Sequence, residues 1–197
     1  MELWTIQSGP AWESMQQRGY LRGQRSHADR DFLPAYDWIA DQMRERIGQP
    51  PSARTSVPIW AWQQYDGIHR KRPDLRSSGH LPVGTRGYRI GFTAPDELVL
   101  LSDFELWHYA LNYWYLATSE LDAEAFNSKY SNLRCSWVSP PTSRQVDSTI
   151  KLSWDRIFDL DWHDQYVTGP MNEKSIQATL WQLDIKWVTT VDEFVAR

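Results

Sequence analysis

The chain has 197 residues, a formal net charge of −4 and a hydrophobic fraction of 41%, which fits a globular domain with a core and excludes wholesale disorder. A mildly acidic chain is not a general binder of nucleic acids or membrane surfaces, and no apolar stretch reaches membrane-spanning length. Cys135 is the single cysteine, so an intramolecular disulfide and a cysteine-based zinc site are excluded. No basic start followed by an apolar run opens the chain, so the sequence predicts a cytoplasmic protein.

The first half of the chain predicts helices alternating with strands. Pro10 and Pro34 each lie where the first turn of a helix accepts proline, and Gly19 and Gly48 follow the last helical residues. Apolar residues at helical spacing support the second of these helices over 32–47. Short apolar or alternating runs predict strands over residues 3–7, 58–63 and 88–93.

The second half predicts strands over 97–101 and 179–188, and helices from 102, near 120–131 and near 144–158. Ser102 and Glu105 have the spacing of a capping box, so Ser102 is expected to cap the first of these helices. That helix is expected to present one apolar stripe of Phe104, Trp107, Leu111 and Trp114. The strand over 179–188 alternates and is expected to be antiparallel and half exposed. The sequence therefore predicts an α+β fold, a single domain over 1–197 with helices packed on a mainly antiparallel sheet.

Positive charge is concentrated in one segment. Residues 54–89 carry a net charge of +5, and the rest of the chain carries −9. Residues 66–87 show no helix or strand pattern, and loops of this length in compact domains are usually functional or disordered. Arg72 and Arg76 flank a Pro-Asp turn, so they could clamp a diphosphate, or Asp74 could hold one of them in a structural ion pair.

Other polar and aromatic candidates each have a structural alternative. Trp62 shares a strand face with Trp60, which indicates either core packing or stacking against a ligand ring. His108 and Asn112 lie one helical turn apart and form either a satisfied pair or part of a site. No metal is expected, because no second cluster completes the ligand set of Asp159, Asp161, His163 and Asp164.

Several stretches are similar to one bacterial family of domains of unknown function, family 3841. They are LWTIQ with the following W…GYLRG, IWAWQQYDG, RPDLRSSGHLP, LLSDFELWHYALNYWYL and IQATLWQLDIKWV. The similarity extends over almost the whole chain. It implies family membership and brings no known activity or cofactor.

The opening of the chain also resembles ADP-ribosyltransferase-like domains. In those domains a first strand, a short helix and a Gly-x-Leu-x-Gly stretch, here Gly19 to Gly23, precede the rest of the fold. The resemblance implies NAD as the cofactor, with Thr5 and Gln7 near its nicotinamide end and Glu173 or Gln177 orienting the acceptor. Thr5 stands where many such enzymes have His or Arg, and Gln177-Ala178-Thr179 lacks the Glu of the usual Gln-x-Glu pair.

Two functions remain open. One is an NAD-using ADP-ribosyltransferase-like enzyme acting on a protein or nucleic acid, with Arg72, Asp74 and Arg76 at the diphosphate. Aromatic residues such as Tyr36 and Trp62 would flank the nicotinamide, and His108 is a further ligand-binding candidate. The alternative is a non-catalytic module that binds RNA, a nucleotide or an acidic protein partner through the basic loop 66–87. No membrane partner is expected.

Overall fold

The computed structural model of the protein describes residues 1–52 and 57–197. The chain divides into two compact units: unit 1 comprises Met1–Leu101 and Ile176–Arg197, and unit 2 comprises Ser102–Ser175. The single domain over 1–197 stays a prediction.

A mainly antiparallel sheet forms the base of unit 1. The strands are β1 (Glu2–Ser8), β2 (Tyr20–Arg22), β3 (Ile59–Gln64), β4 (Arg86–Thr93), β5 (Leu100–Asp103), β6 (Ile176–Leu180), β7 (Gln182–Asp184) and β8 (Val188–Val195). Within the described residues, six of them lie in the order β5-β6-β3-β1-β4-β8, while β2 and β7 form a separate antiparallel pair. The pairs β1–β3, β1–β4, β3–β6 and β4–β8 are all antiparallel.

The first strand lies inside the sheet, between β3 and β4. Its register with β4 runs along the whole strand, from Glu2 opposite Thr93 to Ser8 opposite Gly87. Its register with β3 joins Trp4 to Trp62. The strands predicted over 3–7, 58–63 and 88–93 are confirmed, with bounds that differ by one or two residues.

Two helices of unit 1 are confirmed, α1 (Gly9–Arg18) and α2 (Leu33–Arg46). Each has proline in its first turn, and α1 is followed by Gly19, whose φ of +81° is a left-handed value that glycine adopts without strain. Met15 of α1 is fully buried in the core of the unit. The other buried residues of that core are Leu3, Ile59, Ala61, Phe92, Ala94, Val99, Ala178, Leu180 and Leu183.

Unit 2 is helical, with α3 (Phe104–Leu111), α4 (Glu120–Lys129) and α5 (Arg144–Ser153), followed by a 3-10 turn over Trp154–Phe158. The predicted helices near 120–131 and 144–158 are therefore confirmed in outline. The predicted stripe is wrong at Trp114, which lies beyond α3 and is 56% exposed. The buried residues of α3 are Leu106, Trp107 and Ala110.

The cap of α3 differs from the predicted one by a single residue. Asp103 is the N-cap, and its carboxylate accepts hydrogen bonds from the backbone N–H groups of Glu105 and Leu106. The Ser102 hydroxyl is buried and has no hydrogen-bond partner among the described residues. The prediction was wrong because both residue types cap helices well and local sequence does not choose between adjacent ones.

Two predicted strands also differ from the structure. Residues 97–101 open as a 3-10 turn over Asp96–Leu98, and β5 starts only at Leu100. The alternation over 179–188 does not mark one half-exposed strand. Instead, every residue of β6 is buried, and a 3-10 turn over Ile185–Trp187 separates β7 from β8. The predicted fold class, α+β with a mainly antiparallel sheet, is confirmed.

Candidate functional site

A cleft of about 530 Å³ opens in unit 1 where β1 and β3 diverge. Beyond the Trp4–Trp62 pair, the end of β1 (Ile6 to Ser8) lines one wall and residues 57–60 line another. The stretch after α1 closes the cleft with Leu21, Arg22 and Gly23. We call this space the strand cleft.

Thr5 and Gln7 form a short hydrogen-bonded chain, of which Gln7 lines the strand cleft and the buried Thr5 does not. The Thr5 side chain is 1% exposed, and its hydroxyl donates to the backbone carbonyl of Trp60 at 2.7 Å. The Gln7 amide nitrogen donates to the same hydroxyl oxygen at 2.8 Å. A hydroxyl carries one proton and a carbonyl only accepts, so the Thr5 proton is committed to Trp60. Gln7 must therefore turn its nitrogen toward Thr5, and its carbonyl oxygen takes no part in this contact.

Arg22 is the cation of the strand cleft. Its Nε donates to Gln182 Oε1 at 2.8 Å, and its guanidinium lies 4.3 Å from the ring centre of Tyr20. Among the described residues no carboxylate forms an ion pair with it. These contacts fix the guanidinium while leaving its terminal N–H groups available to an anion.

Aromatic side chains line the same cleft. The rings of Tyr36 and Trp60 lie 6.0 Å apart at an angle of 52°. Burial, and then the negative charge of Asp29, raise the pKa of Tyr36, so its hydroxyl stays protonated at neutral pH. His27 and Asp29 complete the polar lining.

Gly23 brings the Gly-x-Leu-x-Gly stretch into close contact with the start of β3. A Cβ at this position would lie 2.3 Å from the carbonyl oxygen of Val57 and 2.7 Å from that of Pro58. Only glycine allows this approach of two backbones. The motif that carried the resemblance therefore forms a wall of the strand cleft.

A second concave surface of unit 1, which we call the basic pocket, holds the positive loop. Apart from Trp4, Ile68, His69, Pro73 and Asp74, its lining is cationic: Arg70, Lys71, Arg72, Arg76 and Arg89. Arg89 is largely buried and ties the loop to the sheet, donating to the Pro73 carbonyl at 2.6 Å and to Asp192 at 2.7 Å. Arg54, counted in the positive segment, lies outside the described residues.

Arg76, one of the two arginines predicted either to clamp a diphosphate or to pair with Asp74, is paired with Asp74. Its side chain is 81% exposed, and its guanidinium and backbone N–H both donate to the Asp74 carboxylate. These hydrogen bonds hold the pKa of Asp74 far below its usual value. This contact is the Arg–Asp pair within a turn that the sequence also allowed. Arg72 is exposed and pairs with no carboxylate among the described residues.

Gln177 does not converge with Thr5 and Gln7. Residues that are directly opposite in neighbouring strands share a sheet face, and the registers align Gln177 with Trp62 and Trp62 with Trp4. Thr5 and Gln7 are an odd number of residues from Trp4, so they point to the other face. Gln177 therefore points away from Thr5 and Gln7, although the resemblance implied that all three lie at one ligand, and neither Gln177 nor Trp62 lines the strand cleft.

Two predicted site residues belong to unit 2. The His108 ring hydrogen bonds to the Phe104 carbonyl at 3.0 Å, and the Asn112 amide donates to the His108 carbonyl at 2.8 Å. Both contacts are those of a satisfied pair at a helix end. Glu173 is exposed, and its backbone N–H donates to the Pro170 carbonyl at 2.9 Å.

Sequence reasoning missed Arg22, His27 and Asp29. Arg22 could have been found, because it lies inside the Gly19–Gly23 stretch that carries the resemblance to ADP-ribosyltransferase-like domains. Within residues 1–52 and 57–197, no three His, Cys, Asp or Glu side chains lie close enough to share an ion, and every helix is too short or too polar to cross a bilayer.

The fold and its concave surfaces define an α+β protein with a small-molecule-sized cleft beside its first strand. The chain belongs to the family described as Domain of unknown function (DUF3841), whose model matches residues 2–189. No curated protein and no solved structure matches the chain.

Proposed function

We propose that unit 1 is an ADP-ribosyltransferase-like enzyme that binds NAD in the strand cleft and modifies a protein or nucleic-acid acceptor. One observation carries the proposal. Gln7 and the Leu21–Gly23 stretch, which belong to the two parts of the sequence that resemble such enzymes, line one cleft of about 530 Å³. Sites for small ligands typically measure about 300–1,000 Å³.

The direction of the hydrogen bonds at Gln7 suits the carboxamide of nicotinamide. Because Gln7 is held with its nitrogen on Thr5, its carbonyl oxygen accepts from the ligand. The nicotinamide carboxamide brings an N–H donor. The Tyr36 and Trp60 rings supply flat surfaces for the pyridine ring.

Arg22 takes the diphosphate in this arrangement, in place of Arg72 and Arg76, which belong to the basic pocket. Bound NAD would supply the ADP-ribosyl group: the ribose–nicotinamide bond would break with the electron pair leaving on nicotinamide, while an acceptor oxygen or nitrogen would bond to the ribose C1′ and lose its proton to solvent. The side chains of the cleft contribute by positioning and by stabilising charge. With Gln177 on the other sheet face, orientation of the acceptor falls to the polar groups of the cleft itself, His27 and Asp29 among them.

The test is calorimetric titration of the full chain with NAD, together with an assay for released nicotinamide. Arg22→Gln removes the charged donor and is expected to weaken NAD binding about 10- to 150-fold, since hydrogen bonds to charged groups contribute about 1.5–3 kcal/mol. The matched control is Arg18→Gln, an exposed residue at the end of α1, which should bind NAD like the parent. Thermal unfolding of both variants separates lost binding from lost folding.

Two outcomes would contradict the proposal. One is the absence of NAD binding at millimolar concentration. The other is equal binding by the Arg22→Gln variant and the parent. NAD binding without release of nicotinamide, whether water or an added acceptor is present to take the ADP-ribosyl group, would restrict the function to recognition of the dinucleotide.

The basic pocket supports a second candidate, the binding of RNA. Lys71 and Arg72 are exposed and have no ion-pair partner among the described residues, so their charge is available to phosphates. Binding of a single-stranded RNA should then weaken steeply with salt, because each phosphate contact releases counterions. The double variant Lys71→Gln/Arg72→Gln should lower the slope of log K against log salt by about one to two. An unchanged slope would remove this candidate.

A further inference from the structure

Unit 2 contains an aromatic pocket that the proposed function does not use. Its volume is about 550 Å³, within the range of about 300–1,000 Å³ for small-molecule sites. Its floor is apolar and buried, with Tyr113, Ala117 and Ile150 all less than a tenth exposed. Burial raises the pKa of the Cys135 thiol in its wall, so no thiolate charge enters the pocket.

The segment that follows α3 forms one wall of the pocket, and several hydrogen bonds hold it in place. Trp154 Nε1 donates to the Trp114 carbonyl at 2.6 Å, and the Leu116 N–H donates to the Ser153 hydroxyl at 2.9 Å. Asp122 accepts from the backbone and side chain of Thr118. The pocket is thus formed before any ligand binds, which lowers the entropy cost of binding.

Tyr113 occupies a backbone position that usually belongs to glycine. The Tyr113 N–H donates to the Ala110 carbonyl and the Trp114 N–H to the Tyr109 carbonyl, which is the Schellman pattern at a helix end. Tyr113 has a φ of +62°, a strained value for a bulky residue. Such strain is concentrated at functional sites, and here it places an aromatic ring in the pocket floor.

Two aromatic rings remain available at the mouth. Trp114 is 56% exposed and Tyr166 is 63% exposed, although both are large and partly apolar. The only ring contact of Trp114 in the described residues is edge-on, with Tyr109. Exposed aromatic rings beside a preformed cavity are suited to stacking on a flat ligand.

The charged and polar groups of the lining narrow the ligand class. Arg134 donates to the neighbouring Leu133 carbonyl and pairs with no carboxylate among the described residues, so it can hold an anionic substituent. Asn127 and Glu120 offer both donors and acceptors to a ring edge or to hydroxyl groups.

We propose that this aromatic pocket is a second ligand site, which binds a planar heteroaromatic ring carrying an anionic group, the chemistry of a mononucleotide. The ring stacks against Trp114, and Arg134 pairs with the phosphate. The site is independent of the strand cleft, so either proposal can fail alone.

The test is calorimetric and saturation-transfer NMR titration of the full chain with AMP, adenosine and tetramethylammonium. Trp114→Ala is expected to weaken AMP binding about fivefold or more, the loss typical of one stacked base. Arg134→Gln is expected to weaken AMP about tenfold while leaving adenosine unchanged, because only AMP carries the charge. Leu152→Ala and Arg144→Gln change exposed residues outside the pocket and should bind AMP like the parent.

Three outcomes would overturn the proposal. AMP binding that is insensitive to both Trp114→Ala and Arg134→Gln places the ligand elsewhere. Loss of AMP binding in Arg22→Gln instead assigns it to the strand cleft. Displacement of AMP by tetramethylammonium at equal concentration makes the pocket a cation site.

Discussion

Asp103 caps helix α3, whereas the adjacent Ser102 does not, and replacing each residue by alanine tests this difference. Asp103 caps α3 and also accepts from the Thr168 hydroxyl at 2.7 Å and from the Lys174 ammonium at 3.4 Å. The side chains of Asp103 and Lys174 are each 1% exposed. Asp103→Ala therefore removes a helix cap and one partner of the buried Lys174 ammonium.

The expected loss can be estimated from these contacts. Removing one partner of a buried ion pair costs about 3–5 kcal/mol, and a lost helix cap costs about 1 kcal/mol. The second Lys174 contact, a hydrogen bond to the Trp162 carbonyl at 2.6 Å, still solvates part of the charge. We expect Asp103→Ala to lower the free energy of unfolding by about 4 kcal/mol.

Ser102→Ala is the matched control at the adjacent position. Its hydroxyl is buried without a partner among the described residues, so its removal should change stability by less than about 0.5 kcal/mol, or stabilise slightly. The capping box predicted from sequence would instead require a loss of about 1 kcal/mol.

Urea unfolding followed by circular dichroism measures both variants. Together with the single variants Asp103→Asn and Lys174→Met, the double variant Asp103→Asn/Lys174→Met completes a double-mutant cycle, and it should be more stable than Asp103→Asn alone because the buried cation is removed together with its carboxylate partner. The reasoning is refuted if Ser102→Ala costs as much as Asp103→Ala, or if the cycle shows no coupling.

Three further variants probe other parts of the molecule. Gly23→Ala should lower stability by about 1–3 kcal/mol in thermal unfolding, because its Cβ would overlap the Val57 carbonyl. Arg89→Met should speed tryptic cleavage within loop 66–87, since it removes the bond to the Pro73 carbonyl. Burial, and then the Asp147 carboxylate, raise the pKa of Tyr113 in the folded protein. The unfolded chain loses this proton near its ordinary pKa of about 10, whereas the folded chain keeps it to higher pH, so the free energy of unfolding falls above about pH 10. Tyr113→Phe should therefore flatten the decline of stability above about pH 10.

Matched controls accompany two of these variants. The Cβ that Gly9→Ala adds would lie 3.7 Å from its nearest neighbour, the Arg86 carbonyl oxygen, so stability should stay close to that of the parent. Arg18→Gln removes an exposed arginine at the end of α1, outside the loop, so loop cleavage should stay slow. Equal effects in variant and control, or an unchanged alkaline slope in Tyr113→Phe, would contradict the corresponding prediction.

The helices and strands that could be predicted are those whose own residues mark where the element begins and ends. Helix α1 has proline at its start and glycine just past its end, so its bounds could be derived. The short strand β2 could not, because three half-buried residues show no periodicity and are held by pairing with β7, about 160 residues away in the chain.

The candidate site was predicted only in part, for the same reason. The close approach of Gly23 to the Val57 and Pro58 carbonyls is a local feature that a glycine in the sequence can encode. The grouping of Gln7 with Gln177 required the register of β6 on β3, which no local pattern encodes. The sequence left open whether Asp74 pairs with Arg76, because the side-chain geometry of a turn decides this, and the structure forms that pair.

The position of unit 2 in the chain has a consequence for synthesis. Strand β3 pairs with β1 on one side and with β6 on the other, yet Ser102–Ser175 are made between β5 and β6. During synthesis, β3 therefore stays unpaired on its β6 side while at least 74 further residues are made. Throughout that time the backbone N–H and C=O groups on this side of β3 form an open sheet edge. Chains that stop before residue 176 should aggregate, and the yield of native protein should depend on translation speed across this interval.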